Sequence, residues 1–256
     1  MKILATNDDG ISAPGLLALA TGLTGIAQVV VVAPDREASA SGTAVTLARP
    51  LRVREEKPLI AGVDTYSVEG TPSDAVILAL EKLTSGVDLV ISGINQGLNL
   101  GDDTLISGTV GAALQGYLRG LPAIAISTAT AQKPHLDIAA RLAMLVAQVL
   151  GSGALAADIF LSVNLPGLPL ARIKGIKLAR PAHKTHIDTV DEGHDGRRRY
   201  YWLKRSKLGR DADAGTDIQA IEQGYISITT LNAILFQKPQ FSAGDGPWAG
   251  LFRELK

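Results

Sequence analysis

From Met1 to about residue 130 the chain alternates short apolar runs with stretches of helical period, the pattern of βαβ units built on a parallel sheet. Lys2 to Ala5 reads as a strand, and Pro14 at a first helical position opens a helix over Gly15 to Leu23. Ala27 to Ala33 (AQVVVVA) is apolar on both faces, as a strand sandwiched between helical layers must be. Thr43 to Glu55 and Asp64 to Val68 read as strands of an antiparallel excursion. Thr71 as cap and Pro72 in the first turn start a helix running through Ala75 to Leu83. Further strands are expected at Val87 to Ile94, Pro122 to Ser127 and Ile159 to Val163. Helices are expected at Ser107 to Leu118 and Leu136 to Leu150.

The texture changes after Pro166. Pro169, Pro181, three of the four histidines and the Arg197-Arg198-Arg199 run fall in a looser stretch reaching Ala214. Strands are still expected at Arg198 to Lys204 and Tyr225 to Thr230. We divide the chain into a core, residues 1–166, and an appended part, residues 167–256. No repeat or low-complexity tract is visible, which argues against a solenoid.

The composition narrows the classes. With 256 residues, 46% of them apolar and 20% charged, the chain can bury one large core. Lys plus Arg (25) balances Asp plus Glu (25), so no net field draws the protein to nucleic-acid polymers or anionic membranes. The absence of cysteine removes disulfides, thiolate metal sites and Cys nucleophiles together. A secretory leader needs roughly 7–15 apolar residues after a basic start. Here Met1 to Ala5 runs directly into Thr6-Asn7-Asp8-Asp9, and no later window approaches the ~18 apolar residues of a membrane span. A cytoplasmic location is the expectation.

Four polar clusters fall where strands end or helices begin, the edge where open α/β sheets gather ligands. Asn7-Asp8-Asp9-Gly10 follows the first strand; its adjacent carboxylates repel and call for a cation of the hard, oxygen-seeking kind, Mg²⁺, Mn²⁺ or Ca²⁺. The same tetrapeptide is equally good turn chemistry. Ala33 to Gly42 (APDREASASG) is a polar loop after the second strand, ordinary in itself. Ser92 to Asp103 (SGINQGLNLGDD) carries three glycines and two asparagines, and reads as a long loop after a buried strand. It is neither a GxGxxG nor a GxxxxGK[ST] loop, so dinucleotide and P-loop chemistry are absent. Ser107-Gly108-Thr109 starts a helix, where backbone N–H groups and two hydroxyls make an anion site; capping by Ser107 alone is the plainer alternative. Carboxylates beside an anion cradle suggest a divalent ion bridging to phosphate, and hydrolysis by metal-activated water.

The remaining candidates are weaker. His183-Lys184-Thr185-His186 has ligand-like spacing with Asp188 nearby, but a loop pair of histidines is usually solvated surface. Arg197 to Arg199 followed by Tyr200, Tyr201 and Trp202 suits an amphipathic strand or a subunit contact better than nucleic acid.

Taken in order, Asn7-Asp8-Asp9-Gly10 with Ala13-Pro14-Gly15, then Ala33-Pro34-Asp35-Arg36, Gly70-Thr71-Pro72-Ser73-Asp74, Ser92-Gly93-Ile94-Asn95 and Ser107-Gly108-Thr109-Val110 resemble the survival protein SurE family of metal-dependent 5′/3′-nucleotidases. These motifs cover residues 1–127, and Val163-Asn164-Leu165-Pro166 and Gly224 to Thr229 extend the likeness nearly to the end. The resemblance implies a Rossmann-like core, mostly parallel with helices on both faces. It implies one divalent cation per subunit, Mg²⁺ or Mn²⁺ with Ca²⁺ as a stand-in, held by Asp8, Asp9, Ser39 and Asn95. Phosphate would be received by Ser107, Gly108 and Thr109. Asp8 is the candidate catalytic group, with base, nucleophile and ligand roles all open. Nucleoside monophosphates are the implied substrates, with polyphosphate cleavage an open question. A homodimer or homotetramer exchanging its C-terminal segments is implied as well. The chain departs from the family in having Ala40 after Ser39, which leaves Ser41 as a rival ligand. It also has Ile106 where tyrosine is common and Gln115 where glutamate is common.

Two other classes fit less well. A haloacid-dehalogenase-type phosphatase needs one residue between its aspartates, and Asp8 and Asp9 are adjacent. A receiver-like binding module needs an aspartate ending the third core strand, where Ser92-Gly93 stands.

Overall fold

The apolar run after Ala27 forms the second strand of a nine-stranded sheet in a computed structural model that describes residues 1–58, 60–130, 135–153, 158–183, 186–207 and 213–232. In chain order the elements are β1 (Lys2–Thr6), α1 (Pro14–Thr24), β2 (Gln28–Pro34), β3 (Val53–Glu55), β4 (Asp64–Val68) and α2 (Pro72–Leu78). There follow β5 (Leu89–Gln96), α3 (Gly108–Tyr117), β6 (Ala123–Thr128), α4 (Leu136–Gly151) and β7 (Phe160–Leu165). The remainder contributes β8 (Ile176–Leu178), β9 (His186–His194), β10 (Arg199–Lys207), α5 (Asp217–Glu222) and β11 (Ile226–Thr230).

The sheet runs β3-β4-β2-β1-β5-β6-β7-β11-β8. β1, β2, β4, β5, β6 and β7 pair in parallel, whereas β3 on β4 and β11 on β7 are antiparallel. The chain therefore builds outward from β1 in one direction and, after β4, outward from β5 in the other. The carboxyl ends of β1 and β5 flank the point of reversal, where an α/β sheet opens a crevice.

Alternation along the strands divides the core into two layers. Ile3, Ala5, Val29 and Val31 pack with Leu16, Leu19 and Leu23 of α1 and Ala139 and Ala143 of α4 on one face. Leu4, Val30 and Val32 pack with Ala75 and Val76 of α2 and Val110, Ala112 and Ala113 of α3 on the other. Helices on both faces explain why the central strands carry no polar face. Burying each Val, Leu or Ile contributes about 1.5–3 kcal/mol, and a sandwiched strand does so on both sides.

Three expectations need correction. Of Thr43 to Glu55 only Val53–Glu55 is strand; Thr46 N–H instead donates to Asp74 (2.9 Å), and the Thr71 hydroxyl donates to the Ala44 carbonyl (2.6 Å). The capping box of α2 thus holds a segment that no ladder holds. The excursion is antiparallel only at β3, because β4 lies parallel to β2. Finally, much of the expected long loop is strand: β5 continues to Gln96 past a register shift between Ser92 and Asn95, and Gly101–Leu105 is a tight 3₁₀ turn.

Beyond residue 166, β8 and β11 extend the main sheet, while β9 and β10 form a separate hairpin. Val190, Tyr201 and Leu203 lie on one face of that hairpin and are exposed. Among the described residues no helix is long and apolar enough to cross a membrane.

Candidate active site

The chain leaves β1 in a turn stitched by Asn7, whose side-chain amide donates to the Gly10 carbonyl (3.0 Å) and whose Oδ1 accepts the Gly10 N–H (3.2 Å). The turn chemistry read from Asn7 to Gly10 is therefore real, and it carries Asp8 to the crevice with Asp9 beside it. The Ala38 N–H donates to the Asp8 carbonyl (2.8 Å), which brings the loop after β2 over the same edge.

Asp8 is buried, and its Oδ1 accepts the Thr109 hydroxyl at 2.5 Å. That contact sets the first turn of α3 against the carboxylate. Burial raises the Asp8 pKa above the usual carboxylate range, although the Thr109 hydroxyl and backbone amide pull it the other way. Asp9 is pushed up to about 6, first by burial, then by repulsion from Asp8 and Glu37; the Gln96 amide opposes this. The Gln96 bond also ties Asp9 to the end of β5.

The approach of α3 depends on Gly108. A Cβ there would lie 2.8 Å from the Asp8 Cβ, 2.8 Å from the Ser41 hydroxyl and 3.0 Å from Asp8 Oδ2. Only a residue without a side chain lets the helix N-terminus come this close. Ser107 caps α3 by accepting the Val110 N–H at 3.2 Å, which leaves its hydroxyl proton available to an anion.

A cleft of ≈ 180 Å³ is lined by Asp8, Ser39, Asn95 and Ser107 together with Ala40, Asn99, Asp103 and Ile106. Four of the sequence-derived candidates thus share one cavity. Asp9, Gly108 and Thr109 stand beside it, Asp9 joined to Gln96 and the other two packed on Asp8. The Thr109 hydroxyl is engaged with Asp8, so Ser107 is the hydroxyl that faces the cleft. Asn95 donates to the Gly97 carbonyl (2.7 Å), which turns its amide nitrogen away and leaves its oxygen for a ligand. Ser39 donates to Glu37 (2.9 Å).

Glu37, Asn99 and Asp103 are parts of the arrangement that motif reading did not single out. All three lay inside the polar loops noted above, and only the fold tells which loop residues turn inward. The His183 to His186 motif falls partly outside the described residues.

The residues present fit a hard cation. Asp9 Oδ2 and the Ser41 hydroxyl are buried without a hydrogen-bond partner, and a buried, unpartnered carboxylate oxygen is costly unless positive charge meets it. All the candidate donors are oxygens. Among the described residues no three His, Cys, Asp or Glu side chains gather into a metal-holding group, so Asn and Ser oxygens have to complete any shell here.

The model of the family described as "Survival protein SurE" matches residues 3–188. The chain belongs to the SurE family. A protein of Dehalococcoides mccartyi named 5′-nucleotidase SurE is 56% identical over 254 residues, covering 98% of this chain and 96% of that one. A 5′-nucleotidase SurE of Syntrophotalea carbinolica is 47% identical over 236 residues, covering 91% of each. The crystal structure of the SurE protein from Aquifex aeolicus superimposes with a TM-score of 0.79 at 36% identity, covering 93% of this chain and 95% of that one. In this SurE chain the aliphatic Ile106 lines the cleft beside Ser107. Gln115, in the second half of α3, accepts from Arg119 at 3.1 Å, which in turn pairs with Glu81.

Proposed function

We propose that this chain is a 5′-nucleotidase: a divalent-metal-dependent phosphatase that hydrolyses nucleoside 5′- and 3′-monophosphates to nucleoside and phosphate. The observation that carries the proposal is the contact of α3 with Asp8, which joins an anion-binding helix N-terminus to the Asp8 carboxylate at one cleft, with Asp9 beside it. The names of the SurE relatives support the 5′-nucleotidase part of this reading.

Asp8, Asp9, Ser39 and Asn95 would hold the cation, with Ser41 the alternative to Ser39 because its buried hydroxyl lacks a partner. When bound, Mg²⁺ or Mn²⁺ would acidify a water and neutralise phosphoryl oxygens. The rest of the work falls to the chain itself. The Ser107 hydroxyl and the Gly108 amide receive the phosphoryl oxygens, where donors fixed before the reaction stabilise charge without having to reorganise, while the hydroxyl and amide of Thr109 stay with Asp8. Thr109 holds one Asp8 oxygen in place and so orients the other toward the cleft. Asp8 then takes a proton from the attacking water, serves as nucleophile or only ligates, and the variants below bear on how much of the rate it carries.

The same proposal includes assembly as a homodimer or homotetramer acting in the cytoplasm. It is supported by the exposed Val190, Tyr201 and Leu203 face of the β9–β10 hairpin, which a second copy would cover.

The test is phosphate release from a panel of nucleoside 5′- and 3′-monophosphates and a polyphosphate, with Mn²⁺, with Mg²⁺ and with EDTA. EDTA should abolish turnover and Mn²⁺ or Mg²⁺ restore it. Asp8→Asn should lower kcat by at least ~10²-fold with the circular-dichroism spectrum unchanged. Near-normal turnover in that variant, or full activity in EDTA, would reject the proposal.

A further inference from the structure

The loop between β5 and α3 carries Asn99 and Asp103 into the cleft and hands the chain on to Ser107. Its conformation rests on two contacts from distant parts of the sequence. Asn164 on β7 grips the main chain of Asn99 from both sides, accepting its N–H (2.9 Å) and donating to its carbonyl (3.1 Å). The Asn99 side chain is held in turn by the Ser127 hydroxyl on β6 (2.8 Å). Two residues later the Gly101 N–H donates to Asp217 Oδ2 at 2.7 Å, across 116 positions of sequence.

Asp217 is 1% exposed and stands at the start of α5, in the C-terminal segment. Its second oxygen accepts the N–H of Ala182 (3.0 Å) and of Ile218 (2.8 Å). A carboxylate with both oxygens engaged by backbone amides is held rigidly, because charge-assisted hydrogen bonds are short and directional. The load passes forward through a stiff turn. Gly101 sits in the left-handed region (φ 53°), the Thr104 hydroxyl donates to its carbonyl (2.7 Å), and the Asp103 carbonyl accepts the N–H of both Ile106 (3.2 Å) and Ser107 (3.0 Å). A shift of Gly101 is therefore a shift of Asp103 and of the residue that caps α3.

We infer that Asp217 is a positioning residue for the active-site loop, with Asn164 as its counterpart on the sheet. This rests on the nucleotidase reading for what the loop does, although the anchoring itself does not. Through Asp217 the segment around α5 sets the geometry of a cleft to which it contributes no lining residue among those described. The carboxylate form is required: asparagine offers one oxygen and one NH₂ group, so at least one of the three amides would face a donor or lose its acceptor.

The experiment pairs amide hydrogen exchange with kinetics on the full chain. In the wild type the Gly101 amide should exchange far more slowly than the amide of Gly62 in an exposed turn, a measurement that needs no variant. In Asp217→Asn, exchange should accelerate by at least about ten-fold over residues 97–107 while β1 and β2 stay protected. With saturating Mn²⁺ and a nucleoside monophosphate, kcat should fall about 10- to 100-fold and KM change far less, since misplaced groups weaken the transition state more than binding. Asn164→Ala should reproduce the local exchange pattern. A Gly101 amide that exchanges as fast as that of Gly62 overturns the inference. So does an Asp217→Asn chain with unchanged kcat, or one loosened uniformly along its length. A wild type that hydrolyses no nucleotide would refute the functional reading instead, and the exchange data would still decide the anchoring.

Discussion

At the scale of single residues the dominant fact is a carboxylate that would rather be neutral. Asp9 is pushed up to about 6 by burial and by its neighbours Asp8 and Glu37. An unfolded aspartate titrates near ~3.9. Between those values the folded chain holds a proton that the unfolded chain has released, so stability must fall as pH rises through that interval. The contribution is complete below the unfolded value and lost once pH passes about 6. In EDTA, the melting temperature of Asp9→Asn should match that of the wild type near the lower pH and exceed it at neutral pH. Mn²⁺ should erase the advantage by stabilising the wild type. A difference in melting temperature that stays flat across pH would contradict the burial of this carboxylate. Motif reading could name Asp8 and Asp9, since adjacent acids after a first strand are conspicuous. It could not assign the Thr109 hydroxyl to Asp8 in place of phosphate, because that depends on how far α3 advances.

At the scale of elements, α3 is positioned by what its glycines allow. A Cβ on Gly111 would fall 2.0 Å from the Gly42 carbonyl, on the loop that carries Ser39 and Ser41. Gly111→Ala should therefore push the helix and that loop apart, destabilising the chain by about 1–3 kcal/mol. Because the displaced loop holds candidate cation ligands, the variant should also need more Mn²⁺ for half-maximal activity, read by titration. Unchanged melting temperature and Mn²⁺ dependence would show that the loop tolerates the shift. Most elements were legible from apolar period and caps, as with β2, α1 and α2. The exceptions have local physical causes. Residues 43–52 look extended but find no ladder partner and are held by the capping box of α2. The glycine- and asparagine-rich stretch after Ser92 looks like a loop, yet its first part stays paired with β6 as strand through a register shift. β9 and α5 carried too weak a pattern, being respectively an exposed hairpin strand and a six-residue helix.

At the scale of the whole molecule, the site exists because the sheet reverses its order of construction between β1 and β5. Segments 87 positions apart in sequence then meet at one edge, as the Asp9 contact with the Gln96 amide shows. Outside the main sheet stands the β9–β10 hairpin, with Leu203 opposite Val190 and both exposed. If that face joins copies of the chain, Leu203→Asp should lower the mass measured by sedimentation while leaving the far-ultraviolet spectrum intact. An unchanged mass would place the contact elsewhere.

By itself the sequence determined the α/β class, the alternation of the core strands, and the oxygen-rich chemistry carried after β1, after β2, in β5 and at the start of α3. These follow from local period and residue type, which do not depend on distant contacts. Tertiary structure alone decided which polar residues face inward together, how closely α3 approaches Asp8, and that Asp217 reaches back to Gly101. Each of these is a matter of angstroms between segments far apart in the chain, set by sheet order and by backbone-on-backbone packing, and no pattern along a single segment encodes them.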